Sequence, residues 1–221
     1  MALFAILIIL TLVHIGMVLT GLQDSELLSM FRMDFEESLL TWFSQVILLF
    51  IPAIFAFYVG YGKKKAKVKH AKHWYFLGGV LLFLSIDDGA MIHEKFSRVA
   101  EVIGLQEVLN SVSAEWFAWS WWVLYGVAFI IIAGFFVRWF LELPRRTQVL
   151  FGIAVIIALV GQVGLEAVAG YLNASGNYDI ILRGVQKLIG RGGLVVFLIA
   201  LLDYIQFLPS KEKPDIKLEI S

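Results

Sequence analysis

At 221 residues, with 60% hydrophobic content and a mean hydropathy of +0.83, the chain is more apolar than soluble domains, whose apolar share is about 45–50%. Basic and acidic side chains balance at 18 each and cysteine is absent, which argues against nucleic acid as a partner and excludes disulfides, thiolate metal sites and cysteine nucleophiles. The class expected is an all-α polytopic membrane bundle, a single transmembrane domain over 1–221, with six transmembrane helices and both termini cytoplasmic.

The first apolar run covers 2–20. It lacks the basic start and small-residue cleavage site of a signal peptide, so it reads as a retained span. Further runs long enough to cross a bilayer are expected at 39–61, 74–93, 116–140, 148–171 and 187–207. Lys63, Lys64, Lys65, Lys67, Lys69 and Lys72 lie between the second and third runs, and short lysine-rich loops stay in the cytoplasm. Arg138, Arg145, Arg146, Lys211 and Lys213 then fall on the same side. The outer connections are expected at 21–38, 95–115 and 172–186, the second patterned as a short helix lying on the membrane surface. Trp116, Trp119, Trp121 and Trp122 crowd the outer start of the fourth run as an interfacial aromatic belt.

The third run contains Leu84-Ser85-Ile86-Asp87-Asp88 toward its outer end, with His93 as its last residue and Glu94 just beyond. A charge at the bilayer centre costs about 2.5–3.5 kcal/mol even on insertion scales, so two adjacent carboxylates there need an offsetting partner. Counting 1.5 Å per residue from the helix ends places His14, Gln45, Asp87, Asp88, Gln162 and Arg191 about 18–24 Å from the lysine-rich face, with Glu166 a turn further out. These seven residues are the candidate ligand- or ion-binding set. Arg191 is the natural counter-ion, through contact with Asp87 or Asp88. The two aspartates point about 100° apart on a helix, so only one can face the guanidinium well, and the other is left to carry a proton or a cation. His14 reads either as a hydrogen-bonded structural group or as part of the layer. Gly190, Gly192 and Gly193 around Arg191 admit two readings, close helix packing through small residues or a discontinuous helix lining a cavity.

Asp88, His93, Glu94 and Glu166 are the candidate metal ligands, although their spacing misses the Glu-x-x-His and His-Glu-x-x-His patterns. P-loop, dinucleotide and Gly-x-Ser-x-Gly patterns do not occur, so no cofactor is specified. The run Leu84 to Asp88 with His93-Glu94 resembles a Leu-Ser-Leu-Asp-Glu…His-Glu signature of uncharacterised bacterial multi-span membrane proteins. It covers about a dozen residues and has aspartate where the signature has its glutamate. The resemblance implies a bacterial inner (plasma) membrane and no particular activity. Three functions fit such a layer. They are binding or transport of a small polar solute or cation, a membrane-embedded enzyme acting on lipid headgroups through Asp88, His93 and Glu166, and a structural or assembly subunit of a membrane complex. The expected partner is the lipid bilayer, with a second copy or another membrane subunit as the protein partner.

Overall fold

A computed structural model describes residues 1–22, 25–33, 35, 38–92, 95, 120–165, 168 and 176–214, with side chains for all of these except 26, 27, 120–125, 162 and 163. Among the described residues the chain is all-α, without a strand. Helix α1 (Ala2–Thr20) stops where Gly21 turns into the left-handed region at φ 73°, which a residue without a Cβ adopts freely. Helix α2 (Leu39–Lys65) opens on Ser38, whose hydroxyl accepts the Thr41 N–H at 3.3 Å. It widens into a π-helical stretch over Ser44–Phe50 directly before Pro52. Proline has no N–H to give the Leu48 carbonyl, and the wider turn accommodates the missing bond. Helix α3 (Ala71–Ala90) ends where Met91 turns left-handed at φ 50°. Helices α4 (Ser120–Leu141) and α5 (Arg145–Leu159) are joined through Pro144, and α5 runs on into a second π-helical turn at Val160–Gly164. Helix α6 (Gly176–Gln206) is followed by a 3-10 turn at Ser210–Glu212.

Glycines set how closely these helices approach. A Cβ on Gly161 would collide with the Gly190 backbone, and one on Gly193 would come within 2.6 Å of the Ala158 nitrogen, so α5 and α6 pack antiparallel, almost backbone to backbone. Helix α1 also runs antiparallel to α6, with Phe4 beside Gly192 and His14 pressed on Gly184. On the other side α3 descends along α2, Tyr75 against Gly60 and Phe57 against Gly78. Two apolar clusters result. Leu7, Met33, Leu40, Leu48, Val195 and Leu198 fill one. At the lysine-rich end, Trp74 lies edge-on to Trp139 at 5.1 Å and stacks on Tyr204 at 4.8 Å in the other.

The outer surface inverts the pattern of a soluble protein. Ile130 (70% exposed), Ile131 (68%), Leu12 (63%) and Ile156 (62%) point outward, far beyond the scattered apolar residues a water-facing surface tolerates. Three helices, Ala2–Thr20, Leu39–Lys65 and Gly176–Gln206, are long and apolar enough to cross a membrane.

Several expected boundaries shift. The last helix begins at Gly176 rather than 187, because Asp179 and Arg183 pair one turn apart at 2.9 Å and their polarity does not end it. Residues 176–186, expected as part of an outer connection, are therefore helical. The helix is also unbroken at Gly190–Gly193, so these glycines serve close packing and not a discontinuity. Helix α2 continues from 61 to Lys65, its last-turn lysines facing the negative end of the helix dipole. Helix α5 starts at Arg145 instead of 148 because Pro144 initiates it. Apart from Lys95, the surface helix expected in 95–115 lies outside the described residues, as do Trp116, Trp119, the end of the fifth run at 171 and the side chains of Trp121 and Trp122.

The turn between α2 and α3 is tied to the end of α4. His70 Nε2 and Glu142 Oε2 are 2.7 Å apart, and Arg138 donates to the same carboxylate at 3.4 Å. His73 stacks on Phe135 at 4.8 Å. Burial, with His70 close by, lowers the His73 pKa below 6.5, and the hydrogen bond from His70 holds Glu142 below 4.5.

Two outcomes follow from this packing. Gly161→Ala should cost about 1–3 kcal/mol by forcing α5 off α6, whereas Gly134→Ala, with nothing within 4 Å of its Cβ position, should be neutral or slightly stabilising; thermal unfolding in detergent reads both. For pH, the unfolded chain protonates His73 first, so stability falls as pH drops below 6.5. The Glu142 contribution is intact above 4.5 and disappears as pH falls through its lower folded value. The melting midpoint should therefore decline on acidification, and His73→Phe should remove the upper part of the decline; a flat profile would contradict this.

Candidate functional site

Arg191 sits in the middle of α6 at 7% exposure. Its burial follows from its neighbours. Gly190 and Gly193 bring α5 close on one side and Gly192 receives Phe4 of α1 on another, so the arginine stem is enclosed by helices rather than lipid. One terminal guanidinium nitrogen reaches Asp88 on α3, 2.9 Å from Oδ1 and 3.1 Å from Oδ2. The side chains of Arg191 and Asp88 are 9% and 14% exposed. Inside an apolar bundle such a pair holds because separating it leaves two uncompensated charges. The Arg191 Nε is buried and has no hydrogen-bond partner among the described residues.

Among the described residues, helix α2 adds to this shell. Ser44 Oγ lies 2.9 Å from Asp88 Oδ2 and 2.9 Å from the Thr41 carbonyl. With a single proton it serves one acceptor at a time, and the carboxylate is the stronger. The Gln45 amide lies over Gly89, 3.1 Å from where a Cβ would stand, and the Ser85 hydroxyl donates to the Gln45 carbonyl at 2.9 Å. Ser44 opens the π-helical stretch of α2, and Gly161, which packs on Gly190, belongs to the π-helical turn after α5. The ion pair is thus flanked by two π-helical segments, a geometry frequent at functional sites.

The expected contact between arginine and an aspartate is therefore made by Asp88. Asp87, 6% exposed, is buried on the adjoining face of α3. His14 is brought elsewhere. It is 0% exposed, with Nε2 3.0 Å from the Ile180 carbonyl and Nδ1 accepting the Met33 N–H at 3.2 Å. Since the carbonyl can only accept, Nε2 carries the proton, and both ring nitrogens are occupied. His14 packs at Gly184, about 10 Å along α6 from Arg191 by helical rise. Glu166, His93, Glu94 and the side chain of Gln162 lie outside the described residues. Of the candidate metal ligands only Asp88 is described, and no cluster of three or more histidines and carboxylates able to hold a metal occurs among the described residues. Ser44 is absent from the residues expected at the site, and Ser85 enters there only as part of the Leu84–Asp88 run. Hydropathy scores a serine as nearly neutral, and the available signal is position, each within a turn of Gln45 or Asp88.

A family model described as Domain of unknown function (DUF8692) matches residues 1–202, which include every residue of this site. No curated protein and no solved structure matches the chain.

Arg191→Leu strands the Asp88 carboxylate and should destabilise the protein by about 3–5 kcal/mol. Asp88→Leu with Arg191→Leu should recover most of that loss, because no isolated charge is left. A double-mutant cycle on unfolding in detergent checks the coupling; additive effects would mean the pair does not act as one.

Proposed function

The chain belongs to the family described as Domain of unknown function (DUF8692), and we propose that it is a multi-span protein of the bacterial inner membrane that binds or carries a small polar solute or cation at the Asp88–Arg191 pair. In this reading six transmembrane helices cross the bilayer and both termini are cytoplasmic. Three apolar spans, the outward-facing isoleucines of α4 and α5, and the lysines at the end of α2 support that placement. Helix α6, 31 residues or about 46 Å long, exceeds the hydrocarbon thickness of about 30 Å. Its start at 176–186 lies beside the second half of the apolar α1, with His14 at Gly184 and Ile180.

The observation that carries the solute site is a buried arginine whose charge is met by Asp88 while its Nε has no partner among the described residues. A buried pair excludes most ligands, because displacing either partner uncovers a charge. A ligand that brings its own charge or dipole can exchange with it. A cation takes the place of the guanidinium at Asp88, and an acceptor group takes the place of the carboxylate at Arg191. Ser44 and Gln45 stand beside the carboxylate to complete such a shell. The π-helical stretch of α2 offers the alternative hydrogen-bond register that a moving wall needs.

A second reading, a structural or assembly subunit whose polar contacts set helix register, is favoured by His14, whose two nitrogens are both tied to backbone. Flux separates the two. In proteoliposomes, with entrapped pH dye and with sodium or potassium as probes, Asp88→Asn should abolish uptake while the protein stays inserted. The exchange Asp88→Arg with Arg191→Asp should restore stability without flux. Uptake unchanged in Asp88→Asn would discard the solute site. Flux absent from the natural sequence, together with mutants that lose only yield, would favour the structural subunit. The topology has its own check, because the chain has no cysteine: Lys67→Cys and Lys211→Cys should both be protected from an impermeant maleimide in intact cells and labelled in inverted vesicles.

A further inference from the structure

A cavity of about 560 Å³ opens at the lysine-rich end, between the turn before α5, the last turns of α6 and the segment that follows. It lies far from the Asp88–Arg191 pair. Arg191 and Asp203 are twelve residues apart on one continuous helix, about 18 Å by helical rise. The solute site makes no use of it.

The floor is closed by an ion pair. Lys63 Nζ and Glu212 Oε2 are 2.7 Å apart, with side chains 11% and 8% exposed. Gly62 makes room for that contact, since a Cβ there would collide with the Glu212 carbonyl. The mouth carries Arg146, whose side chain is 68% exposed and is held at one terminal nitrogen by Asp203 at 2.7 Å. A guanidinium has five N–H donors, and the planar fork left after one contact matches two oxygens of a phosphate. Asp203, 13% exposed, holds that fork at the mouth. The Phe207 ring lies 5.8 Å from the guanidinium carbon.

The surroundings are divided as a phospholipid is. Ile199 (42% exposed) and Leu202 (44%) flank Asp203 on α6 and Phe207 (67%) follows directly after the helix, an apolar track that leads to Arg146. Arg145, Lys211 and Lys213, each next in sequence to the lining residues Arg146 or Glu212, are exposed. The two acids of the lining, Asp203 and Glu212, are already matched by Arg146 and Lys63, so the unmatched rim charge among the described residues is positive. Basic pockets between membrane helices on the cytoplasmic side are places where anionic lipid headgroups bind.

We propose that this cavity binds the phosphate headgroup of an anionic phospholipid of the adjacent leaflet, with Arg146 holding the phosphate and Ile199, Leu202 and Phe207 lying against an acyl chain. The site rests on the membrane placement of the chain and not on the solute site, so absence of solute flux leaves it standing.

The full-length protein in detergent is challenged with phosphatidylglycerol, phosphatidylcholine or inorganic phosphate, and retained lipid is read by native mass spectrometry alongside the thermal midpoint. Phosphatidylglycerol should be retained and raise the midpoint, and Arg146→Gln should weaken its retention roughly fivefold to tenfold. Arg138→Gln removes the same charge at the same end of the bundle, away from the cavity, and should behave as the natural sequence. Equal retention of phosphatidylcholine would reduce the site to an apolar groove. A midpoint shift of the same size with inorganic phosphate would make it a site for soluble phosphate. Equal losses in Arg138→Gln and Arg146→Gln would reduce it to diffuse surface charge. Any of these three results overturns the proposal.

Discussion

A guanidinium and a carboxylate that meet between apolar helices leave two poorly compensated charges when they part, and the contact of Arg191 with Asp88 constrains what surrounds it for that reason. It ties α3 to α6, two helices that otherwise make their main contacts with α2 and α5. It sets the register of α2 as well, because Ser44 must stand opposite Asp88 to share the carboxylate, and Gln45 then falls over Gly89. One buried pair thereby aligns three helices along their axes.

Such a pair requires close approach, and close approach requires small side chains. The glycines of α6 let α5 and α1 reach the helix backbone, while Gly60, Gly78 and Gly89 do the same for α2 and α3. In lipid there is no hydrophobic gain from bringing two apolar helices together, so van der Waals contact between backbones and internal hydrogen bonds carry the association. The π-helical segments at Ser44–Phe50 and Val160–Gly164 belong to the same geometry. Each departs from the regular hydrogen-bond ladder next to the ion pair, where a helix face has to be re-aimed.

The lysine-rich end is organised differently. Aromatic rings dominate there, with Trp74, Trp139 and Tyr204 in contact, and polar groups pair at every depth: Lys63 with Glu212 in the interior, Arg146 with Asp203 and His70 with Glu142 nearer the surface. Rings with a polar edge and long charged side chains suit a boundary between hydrocarbon and water. Among the described residues, the bundle thus separates the enclosed Arg191–Asp88 contact from several pairs at the lysine-rich end.

The residues alone determined the all-α class, the position of the first helix to the residue, and the pairing of Arg191 with one of two aspartates, because unbroken apolar runs and the cost of buried charge are properties of composition and spacing. They did not determine which aspartate. That choice depends on the rotation of α3 about its axis, which is set by its packing against α2 and is invisible to a count of residues along the chain. His14 adds an axial counterpart: α1 lies along α6 so that His14 meets Gly184 and Ile180, about 10 Å by helical rise from Arg191, an offset that counting within each helix does not give. The last helix is longer than local polarity suggested, with Asp179 and Arg183 paired within its first turns. The order of residues along one helix can be counted from sequence; azimuth, the register between helices and the company a side chain keeps are fixed only when the helices pack.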